Sequence, residues 1–300
     1  MKVLVSGPSG LVGSALIPAL AGGGHEVVRL VRSQPQDLAS KVRWDPEAGE
    51  IDEARLEGVG AAVHLAGESI ATGRWTAARK ARILESRAKG TRLLAEALAG
   101  LEPRPKVLVS ASAIGYYGDR GDEALTEDSG SGSAFFLSNV CRQWESATEP
   151  AADAGIRVAN LRFGVILSAD GGALPRLLTP FRLGVGGRLG SGQQFMSWIA
   201  VDDAVGAILH ALTTKTLRGP VNAVSPQPVT NREFTKTLGR VLGRPTVIPM
   251  PAFAARLAFG QMADELLLCS QRVEPAKLLA SDYQFRFPDL EDALRHLLGK

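Results

Sequence analysis

Gly7-Pro8-Ser9-Gly10-Leu11-Val12-Gly13 directly follows the apolar run Val3-Leu4-Val5. An amphipathic stretch follows it, with Leu11, Ala15, Leu16 and Leu20 at helical spacing. The pattern is a strand, a glycine-rich turn and a helix, the arrangement in which G-x-x-G-x-x-G binds a dinucleotide. Gly7 permits the tight turn, Gly10 lets backbone approach a pyrophosphate, and Gly13 lets the helix pack on the strand. Phosphate charge placed against Ser9, Leu11 and Val12 meets free N–H groups and the positive end of the helix dipole.

The next strand runs through His25-Glu26-Val27-Val28-Arg29-Leu30-Val31-Arg32-Ser33. An acid near the end of this strand binds the ribose 2′-hydroxyl of NAD. Here Arg32 and Ser33 stand at that position. An acid repels a 2′-phosphate, whereas a guanidinium binds it with charge-assisted hydrogen bonds. The expected cofactor is therefore NADP(H).

Strands are expected at 2–6, 26–32, 60–66, 105–111 and 156–162, and helices at 11–22, 75–99, 135–153 and 202–214. This alternation predicts an α/β fold, a Rossmann doubly wound parallel sheet covered on both faces. Two strands end in small residues, at Leu65-Ala66-Gly67 and at Ser110-Ala111-Ser112, which leaves room for a dinucleotide at the carboxyl edge. His64 reads as a satisfied core histidine. From residue 168 the chain becomes rich in glycine and loop-like, with Arg176, Arg182 and Arg188 interspersed. Asp202 or Asp203 is an expected N-cap. Thr230-x-x-Glu233 reads as a capping box for a helix through Leu242. Apolar helical stretches follow at Ala252–Phe259 and Leu290–Leu298. The expected organisation is a dinucleotide-binding core at 1–167 and a smaller interleaved C-terminal substrate or lid domain at 168–200 and 215–300. Residues 201–214 pack back on the core.

The chain has 300 residues, a formal charge of +3 and a pI near 9.0. Basic residues are scattered among acids, which argues against nucleic-acid and membrane partners. Cys141 and Cys269 read as buried thiols of a reducing compartment, and the absence of a signal-like N-terminus or long apolar run gives a cytoplasmic expectation. The four histidines lie in separate segments without zinc-like spacing, so no metal is expected.

The chain resembles an extended short-chain dehydrogenase/reductase of the NAD-dependent epimerase/dehydratase superfamily. The motifs are the N-terminal glycine pattern, Leu65-Ala66-Gly67, Tyr117-Gly118, Leu161-Arg162-Phe163-Gly164-Val165 and Trp198-Ile199-Ala200-Val201-Asp202-Asp203. It is similar, more narrowly, to an atypical branch of epimerase family proteins of unknown substrate, some of which carry a SulA-like division label. That branch is indicated by Gly67-Glu68-Ser69-Ile70, Arg74-Trp75, Ser86-Arg87, Phe135-Phe136-Leu137-Ser138-Asn139, Trp144-Glu145 and Gln194-Phe195-Met196-Ser197-Trp198. Leu242-Gly243-Arg244-Pro245 through Phe285-Arg286-Phe287-Pro288 resembles the branch's C-terminal domain of unknown function.

The resemblance implies cofactor contacts at Leu65, Ala66, Gly67, Arg87, Ser110, Gly164 and Val165. It implies substrate contacts among Glu68, Tyr116, Arg176, Arg182, Arg188 and Trp198, with an anionic small molecule as one reading of the arginines and a solvated loop face as the other. The superfamily's Tyr-x-x-x-Lys pair is missing. Anchored on Glu145, the lysine position is Cys141, the tyrosine position Leu137 and the usual serine or threonine position Ala113. Tyr116 and Ser112 are the remaining candidates to move a proton. Two readings stay open: an NADP(H)-dependent oxidoreductase or epimerase-like enzyme on a small or nucleotide-linked substrate, and an inactive NADP(H)-binding regulator linked to cell division.

Overall fold

The computed structural model describes residues 1–33, 40–132 and 135–300. The chain starts with β1 (Lys2–Ser6), α1 (Leu11–Gly22), β2 (Glu26–Val31), β3 (Lys41–Asp45), β4 (Glu50–Ile51) and β5 (Ala61–His64). It continues through α2 (Ala77–Ala99), β6 (Val107–Ala113), β7 (Ala124–Leu125), α3 (Phe136–Ser146), α4 (Glu149–Asp153), β8 (Arg157–Phe163), β9 (Val165–Leu167) and α5 (Leu174–Arg182). Next come β10 (Phe195–Met196), β11 (Trp198–Ala200), α6 (Val201–Thr213), β12 (Gly219–Ala223), β13 (Val229–Thr230) and α7 (Asn231–Leu242). The chain closes with α8 (Ala252–Phe259), β14 (Arg272–Val273), α9 (Ala276–Ala280) and α10 (Leu290–Leu298).

Eight strands form the central sheet in the order β12-β8-β6-β5-β1-β2-β3-β4, parallel except at β4. The strands alternate. Val3, Val5, Val63, Val109 and Leu161 face the layer of α1 and α6, meeting Leu16, Leu20, Ala204 and Ile208. Leu4, Ala62, Leu108 and Val158 face the other layer, meeting Leu94, Leu98 and Ala151 of α2 and α4. Both faces are thus covered, as a parallel sheet requires. The order reverses at β1, so ligands belong at the carboxyl ends of β1 and its neighbours β2 and β5.

Three expectations change. The helix expected at 135–153 is two helices, α3 and α4, with Pro150 in the first turn of the second. Proline lacks the N–H and crowds the carbonyl four residues back, so one continuous helix is disfavoured there. Residues 219–223, placed by sequence in the lid, are β12, paired in parallel with β8 in the main sheet. Gly219-Pro220 reads as loop punctuation, but proline is tolerated on an edge strand. Leu278, Tyr283 and Phe285 also pack against the sheet-side core. Finally, neither Asp202 nor Asp203 caps α6, whose N-cap is Ala200. The buried Asp203 carboxylate accepts the Arg286 and Phe287 N–H groups at 2.7 and 2.9 Å, pinning the C-terminal segment to α6.

A separate apolar cluster joins α5, α7, α10 and β11 through Leu174, Leu178, Phe234, Leu238, Leu294 and Trp198. The capping box on α7 forms as expected, with Thr230 accepting from the Glu233 N–H and Glu233 accepting from the Thr230 N–H. No helix among the described residues is long and apolar enough to cross a membrane.

Candidate dinucleotide-binding and active site

The three glycines of the first turn have different reasons to be glycine. Gly7 has φ +66° and its Cβ would stand 2.9 Å from the Leu65 carbonyl oxygen. At Gly13 a Cβ would meet the Gly7 carbonyl oxygen at 2.2 Å, which is a clash with backbone. The protein itself therefore requires these two. Gly10 is exposed, has φ −75°, and a Cβ there would touch only the Gly7 oxygen at an ordinary 3.4 Å. Nothing within the chain requires glycine at this position, so the space beside it is free for a ligand. The first turn of α1 has no side-chain cap and no acid. Its orphan N–H groups and dipole thus stay free for an anion, so these residues fit a dinucleotide pyrophosphate. Ser9 is exposed at the rim, while the Leu11 side chain leans against Gly172 and Val12 against the core.

At the end of β2, Arg32 and Ser33 are exposed. The Arg32 guanidinium has no hydrogen bond or ion pair within the described residues. At the end of β5, the Leu65 and Ala66 N–H groups reach the Ser6 Oγ at 3.1 and 3.3 Å. Since that oxygen accepts from backbone, its own hydrogen goes to His64 Nδ1, 2.6 Å away. His64 is therefore the Nε2–H tautomer. Burial, with a smaller contribution from the Arg87 charge, pulls its pKa down to about 4. Its buried Nε2 has no hydrogen-bond partner among the described residues, so the core histidine expected to be satisfied is satisfied there on one side only.

Arg87 reaches from α2 under the same turn. Its Nη1 donates to the Glu68 and Ile83 carbonyls at 2.9 and 3.1 Å, and its Cζ lies 4.9 Å from the Trp144 ring centre. The Glu68 carboxylate is turned to Arg79.

Ala113, Leu137 and Cys141 converge as the motif anchoring predicts. Gly115 places a Cβ position 3.2 Å from Leu137 Cβ and 3.8 Å from Cys141 Sγ, and the Ala113 amide faces the thiol. Burial first, then the Glu145 carboxylate, pushes that thiol up to about 12, so it carries no thiolate at neutral pH. Cys269 is likewise buried and pushed up to about 12 by burial.

Beside this apolar wall lies a buried polar chain that motif reading missed. Arg162, at the end of β8, grips Glu145 of α3 with two hydrogen bonds of 2.8 Å. Ser112 donates to the same carboxylate at 2.7 Å, and Arg162 also donates to the Tyr117 hydroxyl at 2.9 Å. That hydroxyl in turn reaches Asn222 of β12 at 2.7 Å. Burial pushes Tyr117 up to about 12. Ser112 and Tyr117 are thus bound into structure. Tyr116 is half-buried, its ring lying 3.5 Å from Arg162 Cζ, and its hydroxyl makes no hydrogen bond within the described residues. The segment holding Tyr116 is strapped by Gln271, which donates to the Ile114 and Gly118 carbonyls at 3.0 and 3.1 Å. Glu265 accepts the Phe136 and Leu137 N–H groups at 3.0 and 2.9 Å, capping α3 from 128 residues away.

The remaining candidates separate. Ser110 is fully buried in β6. Gly164 is required by the chain itself, because a Cβ would stand 2.5 Å from the Ser197 carbonyl oxygen, and the Val165 N–H is bonded to that same oxygen. Trp198 does not face a substrate. It is wholly buried between β9 and the lid helices, its Nε1 donating to Gln227 at 3.1 Å. Arg176 donates to the Ala71 carbonyl at 2.6 Å, Arg188 to that of Ser191 at 2.7 Å, and Arg182 is exposed with no hydrogen bond or ion pair among the described residues. The three do not converge on one shared group. Among the described residues no cluster of three His, Cys, Asp or Glu side chains has metal-binding geometry.

Residues 3–223 match the NAD dependent epimerase/dehydratase family, and residues 250–297 match a domain of unknown function. The chain belongs to that epimerase family. It is 44% identical over 292 residues to the epimerase family protein Mb2239 of Mycobacterium bovis, covering 97% of this chain and 96% of that one. It superposes with a TM-score of 0.91 on human epimerase family protein SDR39U1, solved with NADPH, at 37% identity and full coverage of both chains. A nucleoside-diphosphate sugar epimerase from Corynebacterium glutamicum matches with a TM-score of 0.83 and 42% identity, over all of this chain and 58% of that one. The chain is an NAD(P)-dependent epimerase-family protein with a Rossmann-like sheet. Its C-terminal domain is the part that supplies Glu265 and Gln271 to the site.

Proposed function

We propose that this epimerase-family protein binds NADP(H) and acts in the cytoplasm on a small or nucleotide-linked substrate without the usual Tyr-x-x-x-Lys pair. The observation that carries the reading is the cradle at Gly10, a glycine whose side-chain space none of the described residues needs. Arg32, exposed at the end of β2, supplies the preference for a 2′-phosphate. The human relative SDR39U1 was solved with NADPH, which agrees with it. When bound, the nicotinamide supplies hydride transfer. The chain's residues bind, orient and move a proton. The Tyr116 hydroxyl is the side-chain group best placed to hold a proton at this edge, since Ser112 and Tyr117 are committed to the Glu145–Arg162 chain.

A second reading has its own support. Ala113, Leu137 and Cys141 make an apolar wall where acid–base groups are usual, which favours an NADP(H)-binding regulator that has lost turnover. Titration calorimetry with NADPH and NADH tests the shared part. Losing the 2′-phosphate contact in Arg32→Ala should cost about 1.5–3 kcal/mol with NADPH and little with NADH. Equal affinities of the wild type for the two cofactors would refute the preference. NADPH oxidation across a metabolite panel separates the two readings. Where turnover is found, Tyr116→Phe should lower kcat by about 10²–10⁴-fold.

A further inference from the structure

Arg87 is a half-buried cation with no ion pair among the described residues, and the nearest carboxylate, that of Glu68, is shared with Arg79. Nη1 is spent on two neutral carbonyls, those of Glu68 and Ile83. The groups around it do not neutralise it: the Glu68 carboxylate pairs with Arg79, Cys141 is held as a thiol, and His64 is neutral above about pH 4. Trp144 offers only a ring face. Burial lowers the Arg87 pKa to about 10, which leaves it charged at neutral pH. A charge largely withdrawn from water is ordinarily paired, so one without an ion pair among the described residues points to a further partner.

The free donors lie where such a partner would come. Nε and Nη2 have no hydrogen bond within the described residues, and neither is among the polar atoms sealed from solvent. A Cβ on Gly67 would meet Cζ, Nη2 and Nε at 3.1, 3.3 and 3.4 Å, so glycine here keeps the guanidinium uncovered at the end of β5. The sheet order puts β5 beside β1 on the side away from β2. A dinucleotide with its pyrophosphate at Gly10 and its adenosine at Arg32 therefore carries its nicotinamide nucleotide over β5. The guanidinium also adjoins Cys141, the position where a lysine is expected and absent.

We propose that Arg87, reaching from α2, does the ribose-holding work of the missing lysine by donating Nε–H and Nη2–H to the vicinal hydroxyls of the nicotinamide ribose. The proposal rests on the cofactor reading above. It assigns Arg87 to the nicotinamide half and not to a phosphate or to an anion on the substrate. A planar fork suits a diol as it suits a carboxylate, and a position on α2 gives reach across the sheet edge that Cys141 has lost.

The test compares a whole dinucleotide with its adenosine half. Titration calorimetry measures Kd for NADPH and for 2′-phospho-ADP, which keeps both phosphates of the pyrophosphate and has no nicotinamide ribose. Arg87→Met keeps the apolar stem and removes the donors. It should weaken NADPH tenfold or more and leave 2′-phospho-ADP within twofold, and Arg87→Lys should restore part of the loss. Gly67→Ala keeps the Arg87 side chain but covers its guanidinium and pushes it back by a few tenths of an ångström, and should show the same selective loss. It also serves if Arg87→Met does not fold. Parallel loss on both probes would overturn the proposal, since a collapsed turn or a phosphate contact would give that result. So would unchanged NADPH binding in both variants, the outcome expected if Arg87 serves a substrate anion. Failure of the cofactor reading shows separately, in the wild type. If that protein favours NADH, the comparison is made with NADH and ADP, and if it binds no dinucleotide both readings fall.

Discussion

Replacing Gly10 by valine should abolish cofactor-induced stabilisation and leave the fold almost untouched. The contrast with Gly13 gives the magnitudes. Unfolding a 300-residue chain carries an entropy near 2.1 cal/mol/K per residue, so 1 kcal/mol moves Tm by about 1.6 °C. A ligand at 100 times its Kd stabilises by about 2.7 kcal/mol, a rise of about 4 °C. At Gly10 the new Cβ meets only one backbone oxygen at 3.4 Å, and the extended φ of −75° accepts valine. The apo cost is that of a poorer N-cap, about 1 kcal/mol or about 2 °C. At Gly13 the Cβ lands 2.2 Å from the Gly7 oxygen, an overpacking of helix on turn. Gly13→Ala should therefore lower the apo Tm by about 2–5 °C. Differential scanning fluorimetry with and without NADPH reads both effects. If Gly10→Val retains the full NADPH shift, the pyrophosphate does not pass this turn. If Gly13→Ala leaves the apo Tm unchanged, the division of labour among the glycines is wrong.

Two further outcomes follow from buried titratable groups. His64 is held at about 4 against an ordinary 6.5, so between these values the unfolded chain binds more protons. Its contribution, about 3 kcal/mol, is complete above pH 6.5 and is lost as pH falls towards 4. His64→Gln should flatten the fall of Tm over pH 6.5 to 4, and an unchanged slope would show that His64 does not titrate this way. Cys141 should resist iodoacetamide in the native protein at pH 8, since its thiol is buried and pushed up to about 12, and Cys141→Ala should leave any NADPH-dependent turnover within a fewfold of wild type. Rapid native alkylation would refute the buried-thiol assignment, and a large turnover loss with normal NADPH binding would give that helix a chemical role.

What the sequence carried plainly was periodic or local. The apolar run Val3-Leu4-Val5, the glycine spacing, the Thr230–Glu233 capping box and the limits of α8 and α10 are written in stretches of a dozen residues or fewer, and the structure reproduces them. The converging Ala113, Leu137 and Cys141 were also placed from sequence, but by motif anchoring, because no period links a strand end to a helix 24 residues later. What remained unread shares a physical cause. The Glu145–Arg162 pair, the Glu265 cap on α3, the Asp203 tether and β12 depend on partners brought together by topology, and a charged residue has the same appearance in sequence whether it is solvated or buried. Trp198 fails for the complementary reason: a tryptophan beside a substrate loop and one sealed under it share the same flanking residues. The same logic gives the C-terminal domain its place. It builds part of its core with α5 and β11, yet Glu265 and Gln271 from that domain hold α3 and the Tyr116 turn of the other half. Losing a carboxylate that caps two buried N–H groups leaves both unsatisfied, so the geometry of the Leu137–Cys141 wall depends on a domain that no local reading of α3 would include.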